Sequence, residues 1–301
     1  MKKAIVTGGC GFIGSHIVDH LISSGIETIV IDNNSAECNE EFYFNKKAKY
    51  YNIDICEYSA IFNIFKNVDI VFHLAAESRI QPAILNPIKA TKVNVLGTCN
   101  VLQASRENGI DRVIYSSTSD VYGLENIPPL KESMKKNCIN PYSITKSSGE
   151  DLCIMYNNLF GLKTISLRYF SVYGDREPIK GQYAPVVGLF LRQKKQDIPL
   201  TIVGDGLQSR DFVNVYDVVT ANISAANTDN KNCFGKTYNV GTGISCSILD
   251  LAKKISNNYK FLPKRNGEAI HTLADISKIQ DDLLWKPNIN LFDYIKEKND
   301  Q

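Results

Sequence analysis

Tyr142 and Lys146 stand one helical turn apart in Tyr142-Ser143-Ile144-Thr145-Lys146, so a phenol and an ammonium group share one face of a helix. The pair suits the oxidation of a carbinol, in which a base takes the hydroxyl proton while hydride leaves the carbon. A free phenol, with a pKa of about 10, serves poorly as that base at neutral pH. A neighbouring ammonium favours the phenolate and lowers that value. Spacing alone decides little, because Tyr43/Lys47 and Tyr294/Lys298 repeat it among 15 tyrosines. Context separates Tyr142. It follows Tyr115-Ser116-Ser117-Thr118-Ser119-Asp120-Val121-Tyr122-Gly123, an apolar run that empties into hydroxyl-rich residues. Thr118 in that run can share a hydrogen bond with the oxygen being oxidised.

Hydride needs an acceptor, and the other end of the chain supplies its signal. Gly8-Gly9-Cys10-Gly11-Phe12-Ile13-Gly14 follows an apolar run and opens a helix-period segment. Glycines there allow a tight turn and let backbone N–H groups approach a pyrophosphate at the helix N-terminus. Asp32 ends the second apolar run, 18 residues past Gly14. A carboxylate at that place accepts hydrogen bonds from ribose hydroxyls and repels a 2′-phosphate, which favours NAD over NADP. A bound nicotinamide ring would add a second positive charge beside the phenol. Asp54-Ile55 and Leu74-Ala75-Ala76 fall where loops at strand C-termini meet the adenine and nicotinamide halves.

Elements that position these residues are legible in the hydrophobic pattern. Ala4–Thr7, Thr28–Asp32, Asp69–Leu74, Arg112–Ser117 and Thr164–Tyr169 are short runs rich in Val, Ile and aromatics, as expected for strands buried on both faces. Ile13, Ile17, Leu21 and Ile22 share a helical face that ends at Gly25, a C-terminal glycine stop. Asn86-Pro87 and Asn140-Pro141 each put a cap residue before a proline, a helix start. The alternation predicts an α/β fold with a doubly wound parallel sheet, followed by a smaller C-terminal α/β substrate lobe. Residues 1–174 are expected to form the dinucleotide-binding unit, with 211–242 returning to it. Residues 175–301 mainly form the lobe, ending in a polar tail after Tyr294.

Composition narrows the partners. The chain has 301 residues, 22% charged and 44% hydrophobic, with a formal net charge of +2. Near-neutrality gives no reason to expect nucleic acid or an anionic membrane surface as partner. No signal-peptide core or membrane-length apolar run is present. Eight scattered cysteines without a Cys-x-x-Cys pair read as reduced thiols of a cytoplasmic protein. His16 and His20 are one turn apart, but no third ligand is evident, so no metal is expected.

Thr7-Gly8-Gly9-Cys10-Gly11-Phe12-Ile13-Gly14, the Thr118/Tyr142/Lys146 set and Leu273-Ala274-Asp275-Ile276-Ser277-Lys278 together resemble the extended short-chain dehydrogenases/reductases, specifically their nucleotide-sugar 4-epimerase group. The likeness runs nearly end to end. It implies a Rossmann sheet, bound NAD, and reversible oxidation at C4 of a UDP-hexose through a transient 4-keto sugar, with UDP-glucose/galactose or their N-acetylated forms as substrates. It makes Thr118, Tyr142 and Lys146 catalytic. It places Gly8, Gly11, Phe12, Ile13, Gly14, Asp32, Asn33, Asp54, Ile55, Leu74, Ala75, Ala76, Asn94, Ser116, Tyr142, Lys146 and Tyr169 at the cofactor. Arg210 and Arg265 fall on the UDP pyrophosphate, Glu268 on the uridine ribose, Thr201 and Val203 beside the uracil, and Ser78 near the sugar. Arg168 is expected to be structural.

Departures from the family pattern bear on the sugar. Ser171 stands where the group usually has Asn, giving a donor of shorter reach. Thr272 replaces a bulky tyrosine of the glucose-specific members, which would leave room for an N-acetyl group. Arg79 is long and cationic where many epimerases are small; a sugar carboxylate and a phosphate are both open as its partner. The rivals are 4,6-dehydratases, which need Thr-Asp-Glu where this chain has Thr118-Ser119-Asp120, and UDP-glucuronate decarboxylases, with Thr-Ser-Glu. A non-catalytic NAD-binding scaffold is the alternative of another class, and it would be expected to lose Tyr142 or Lys146. Resemblance also implies a homodimer, paired through helices at 87–108 and 141–160.

Overall fold

The computed structural model describes residues 1–36, 39, 41–179, 184–264 and 269–299. Twelve strands run in chain order: β1 Lys3–Thr7, β2 Glu27–Ile31, β3 Lys49–Tyr51, β4 Ile70–His73, β5 Arg112–Thr118, β6 Lys163–Tyr169, β7 Ser171–Tyr173, β8 Leu200–Val203, β9 Ser209–Asn214, β10 Lys236–Val240, β11 Ser245–Ser247 and β12 Tyr259–Leu262. Seven form one sheet in the order β10-β6-β5-β4-β1-β2-β3, every pair parallel. The strand order reverses between β1 and β4, where an open α/β sheet leaves a crevice at its carboxyl edge. This is the doubly wound Rossmann arrangement.

Apolar runs become strands because both faces find a cover. In β1, Ala4 and Val6 pack on one side with Ile17, Val18 and Leu21 of the Phe12–Ser23 helix and with Val218 and Ala221 of the Val215–Asn227 helix. Ile5, between them, packs on the other side with Val101 and Leu102 of the Thr98–Glu107 helix and Cys153 and Tyr156 of the Pro141–Phe160 helix. This is the period of two that a pleated strand imposes.

Register explains where the site opens. β4 pairs with β5 only from Ile70↔Arg112 to His73↔Tyr115, whereas β5 pairs with β6 as far as Thr118↔Tyr169. Ser116–Thr118 therefore overhang the end of β4, and their unpaired edge faces the crevice. β5 ends one residue later than expected and β2 one earlier. β3 is the strand expected ahead of Asp54-Ile55, and β10 is an addition to the expected strands. β10, paired with β6, brings residues 236–240 back to the large sheet.

The expected long helix at 87–108 is helical throughout, but Lys92–Gly97 widens into a π-helical turn between Pro87–Thr91 and Thr98–Glu107. Such turns cost backbone geometry and often serve a site.

β7, β9 and β11 form a second sheet and β8 pairs with β12. Tyr173, Phe190, Leu200, Ile202, Phe212, Leu251 and Ile255 make their separate core. The chain end corrects the sequence reading: the polar tail is a helix, Leu291–Asn299, which buries Ile295 in that core. Lys298 pairs with Asp175 at 2.9 Å. No helix among the described residues is long and apolar enough to cross a membrane.

Candidate active site

The glycine loop is shaped by close approach and by emptiness. Gly8 has φ +71°, and a Cβ there would lie 2.6 Å from the Ala75 backbone nitrogen. A Cβ on Gly14 would lie within 2.9 Å of the Gly8 carbonyl carbon and the Gly9 Cα. Gly11 differs: a Cβ there would meet protein only at 3.5 Å or more, so packing does not demand a glycine. The space it leaves belongs to a cavity of about 590 Å³. Gly11 caps the Phe12–Ser23 helix without a side-chain hydrogen bond, so the first-turn N–H groups of Phe12, Ile13 and Gly14 border that cavity as anion donors. An elongated dinucleotide fits this donor set and opening.

Asp32 fixes the far wall. Its carboxylate accepts from the Cys10 and Asn34 N–H groups, each at 2.9 Å, which leaves further lone pairs for ribose hydroxyls. Burial pushes its pKa up against these hydrogen bonds. Asp32→Ala is expected to weaken NAD about 10- to 100-fold, the worth of a charged hydrogen bond, and to narrow the preference for NAD over NADP. Fluorescence titration with both dinucleotides checks this; unchanged affinity would remove Asp32 from the site.

The Pro141–Phe160 helix carries Tyr142 and Lys146. A capping box starts it: the Asn140 side chain accepts from the Ser143 N–H at 2.8 Å, and Ser143 Oγ accepts from the Asn140 N–H at 3.3 Å. This fixes the turn bearing Tyr142. One turn on, Lys146 is buried, with Nζ 4.5 Å from the Tyr115 ring centroid. Burial pulls its pKa down to about 8. Burial, with the Asp120 carboxylate, pushes the Tyr142 phenol up, while a hydrogen bond with Thr118 and the Arg79 cation oppose the rise. Arg79 is thus one cation that acts on the phenol.

Glu150, one turn beyond Lys146, holds the helix against the sheet. Fully buried, it accepts from Arg168 Nε and Nη2, each at 2.8 Å, from Ser117 Oγ at 2.6 Å, and pairs with Lys136 at 3.2 Å. Arg168 is structural, as expected. Sequence reading missed Glu150, although Tyr142, Lys146 and Glu150 recur every four residues. Tyr169 shares hydrogen bonds with Ser116 at 2.9 Å and Asn222 at 2.8 Å.

Every residue expected at the cofactor lines the cavity except Asn94. Asn94 sits behind the wall in the π-helical turn. It accepts from the Glu77 N–H at 2.8 Å and donates to Glu77 O and Thr145 Oγ1, each at 3.0 Å. It thereby ties the loop after β4 to the helix of Tyr142.

A second cleft, about 580 Å³, is lined by Ser78, Arg79, Asp120, Tyr142, Ser171, Thr201, Val203 and Arg210. Arg210 rests its Nη1 on the Ser209 carbonyl at 3.0 Å. Gln193 grips Thr201 at both backbone N and side chain. Thr272 departs from the expectation. It lines neither cleft; it is buried and accepts from the Asp211 N–H at 3.3 Å, because its segment packs on β9. Room for an N-acetyl group therefore cannot be read from Thr272. Arg265 and Glu268 lie outside the described residues. His16 hydrogen-bonds the Asp175 carbonyl at 2.9 Å, and the described residues contain no group of metal-ligating side chains. The two clefts meet at Ser78, Arg79, Tyr142, Val172 and Pro185.

The first cleft opens onto the second beside Tyr142. Residues 4–241 match the model of the NAD dependent epimerase/dehydratase family. The chain belongs to that family. It is an enzyme, and NAD is its cofactor. The UDP-glucose 4-epimerase of Mycolicibacterium smegmatis is 32% identical over 96% of this chain and 95% of its own. The structure of the Thermotoga maritima UDP-glucose 4-epimerase with UDP-glucose matches with a TM-score of 0.91 at 33% identity, over 99% of this chain and 97% of that one. The UDP-N-acetylglucosamine 4-epimerase of Methanobrevibacter ruminantium, in complex with UDP-N-acetylmuramic acid, matches with a TM-score of 0.92 at 34% identity, with the same coverages.

Proposed function

We propose that this family member interconverts the C4 epimers of a UDP-hexose, with Thr118, Tyr142 and Lys146 as its catalytic set. One observation carries the reading: Tyr142 lines both clefts, so its phenol borders a nucleotide-sugar in one and the dinucleotide in the other. NAD, when bound, supplies a hydride acceptor and donor together with a positive charge. Thr118 orients O4 of the hexose. The Tyr142 phenolate takes the O4 proton as the C4–H bond breaks, which leaves a 4-keto sugar. The same phenol returns the proton when hydride comes back to the other face of the turned sugar. Lys146 keeps a cation below the phenol as long as it stays protonated. The N–H groups of Phe12, Ile13 and Gly14 would hold the NAD pyrophosphate, and Asp32 the adenosine ribose.

An epimerase needs no further acid or base, only a firm hold on the nucleotide and a loose one on the sugar. Thr201, Val203 and Arg210, on the second cleft, suit the nucleotide. A decarboxylase or dehydratase would ask more of Asp120. Incubation with UDP-glucose, UDP-N-acetylglucosamine and UDP-glucuronate, followed by NMR, is expected to yield C4 epimers. Release of CO₂ or a 4-keto-6-deoxy sugar as the main product would overturn the reading.

A homodimer in the cytoplasm accompanies this proposal. Leu85 and Ile88, 85% and 81% exposed, and Leu159, 70% exposed, form apolar positions on or beside the helices expected to pair. The described cysteines are all free, in keeping with a reducing compartment.

A further inference from the structure

We infer, on the reading that the site epimerises C4 of a UDP-hexose, that Arg79 selects a hexuronate by pairing its guanidinium with the C6 carboxylate. Among the described residues that line both clefts, Arg79 alone carries a charge. That junction is where the reacting end of the hexose must lie, because the phenol that takes the O4 proton is part of it. C4 is bonded to C5, which bears C6; the diphosphate hangs from C1, across the ring. C4 is also bonded to C3, so a cation beside the phenol borders the C3 hydroxyl or the C6 group, and of these only C6 can carry a carboxylate; Arg210, which lines the second cleft only, is placed for the diphosphate end.

Charge balance supports the same assignment. A neutral hexose laid over a guanidinium strips water from it and returns no charge, whereas a carboxylate returns both charge and paired hydrogen bonds. Asp120, also on the second cleft, works against an anion, so the preference has to come from Arg79. The Arg79 cation acts on both Tyr142 and the buried Glu177. Glu177 itself accepts from the Gly174 and Gly188 N–H groups at 2.7 and 3.1 Å, and burial pushes its pKa up to about 7.

Binding to a variant that does not turn over separates this inference from the activity. In NAD-loaded Tyr142→Phe protein, calorimetric titration is expected to show UDP-glucuronate binding about 10- to 100-fold tighter than UDP-glucose, the worth of a charge-assisted pair. Adding Arg79→Met should abolish that ratio, and Arg79→Lys should keep part of it. No preference in the parent, or a preference that survives Arg79→Met, overturns the inference. So does an Arg79→Met variant that weakens UDP alone as much as UDP-glucuronate, because Arg79 would then serve the diphosphate. Failure of wild-type protein to form any C4 epimer would overturn the epimerase reading, and the binding ratio would still be decided.

Discussion

Tyr142→Phe is expected to lower turnover by about 10²- to 10⁴-fold, the usual contribution of a positioned acid–base group, with little change in NAD affinity. The phenol oxygen is the only atom removed, and the ring, the capping box and the buried Lys146 remain to shape the cavity. The fall should appear in kcat and in kcat/KM alike, since the lost interaction belongs to proton transfer. Steady-state kinetics beside a fluorescence titration of NAD measures both. Full activity in the variant would remove Tyr142 from the chemistry.

The pH profile offers a second view of the same pair. Lys146 is protonated below its pKa of about 8, so its positive charge, one helical turn from Tyr142, is lost as pH rises through that value. Tyr142, pushed up by burial and Asp120, depends on neighbouring cations to ionise. Activity is expected to decline above about pH 8 in the wild type, and Lys146→Met should remove that limb together with most of the rate. An alkaline limb unchanged in Lys146→Met would assign it to another group.

Glu150→Ala is expected to give the largest loss of stability, about 3–5 kcal/mol, because it strands Arg168 as an uncompensated buried charge. Glu150 is fully buried and holds Arg168 through two bonds of 2.8 Å. Chemical denaturation of the single variant and of Glu150→Leu/Arg168→Met separates charge from packing: the double variant should recover most of the loss. Equal destabilisation in both would mean that shape, not charge balance, is what the pair supplies. In the single variant turnover should also fall, since the anchor lies two turns from the phenol on one helix.

The parts of the site legible in the sequence are those whose physics is local. Glycines of the Gly8–Gly14 loop, Asp32 at a strand end, the Asn140-Pro141 helix start and the Tyr142/Lys146 spacing each need only neighbours in the chain. Glu150 was not legible, because an acidic residue on a helix reads as solvated until β5 and β6 bring Ser117 and Arg168 to it. That Asn94 ties the loop after β4 to the helix of Tyr142 was not legible, because a π-helical turn leaves no pattern that spacing reveals. That Thr272 bonds the backbone of β9 was not legible, because it depends on packing between distant segments. Arg79 could be seen to be unusual, but only the meeting of two clefts gives that cation an address. The last helix was taken for a tail since one buried residue, Ile295, suffices to dock it.

The burial of the Glu150–Arg168 pair has a consequence for how the enzyme responds to ionic strength. Mobile ions screen exposed charges within about 10 Å at 0.1 M and scarcely reach an enclosed pair, so added salt leaves the base where it is. Arg79 and Arg210, half-buried in the cleft walls and proposed to meet an anionic substrate, are less enclosed. Salt should therefore register in KM far more than in kcat.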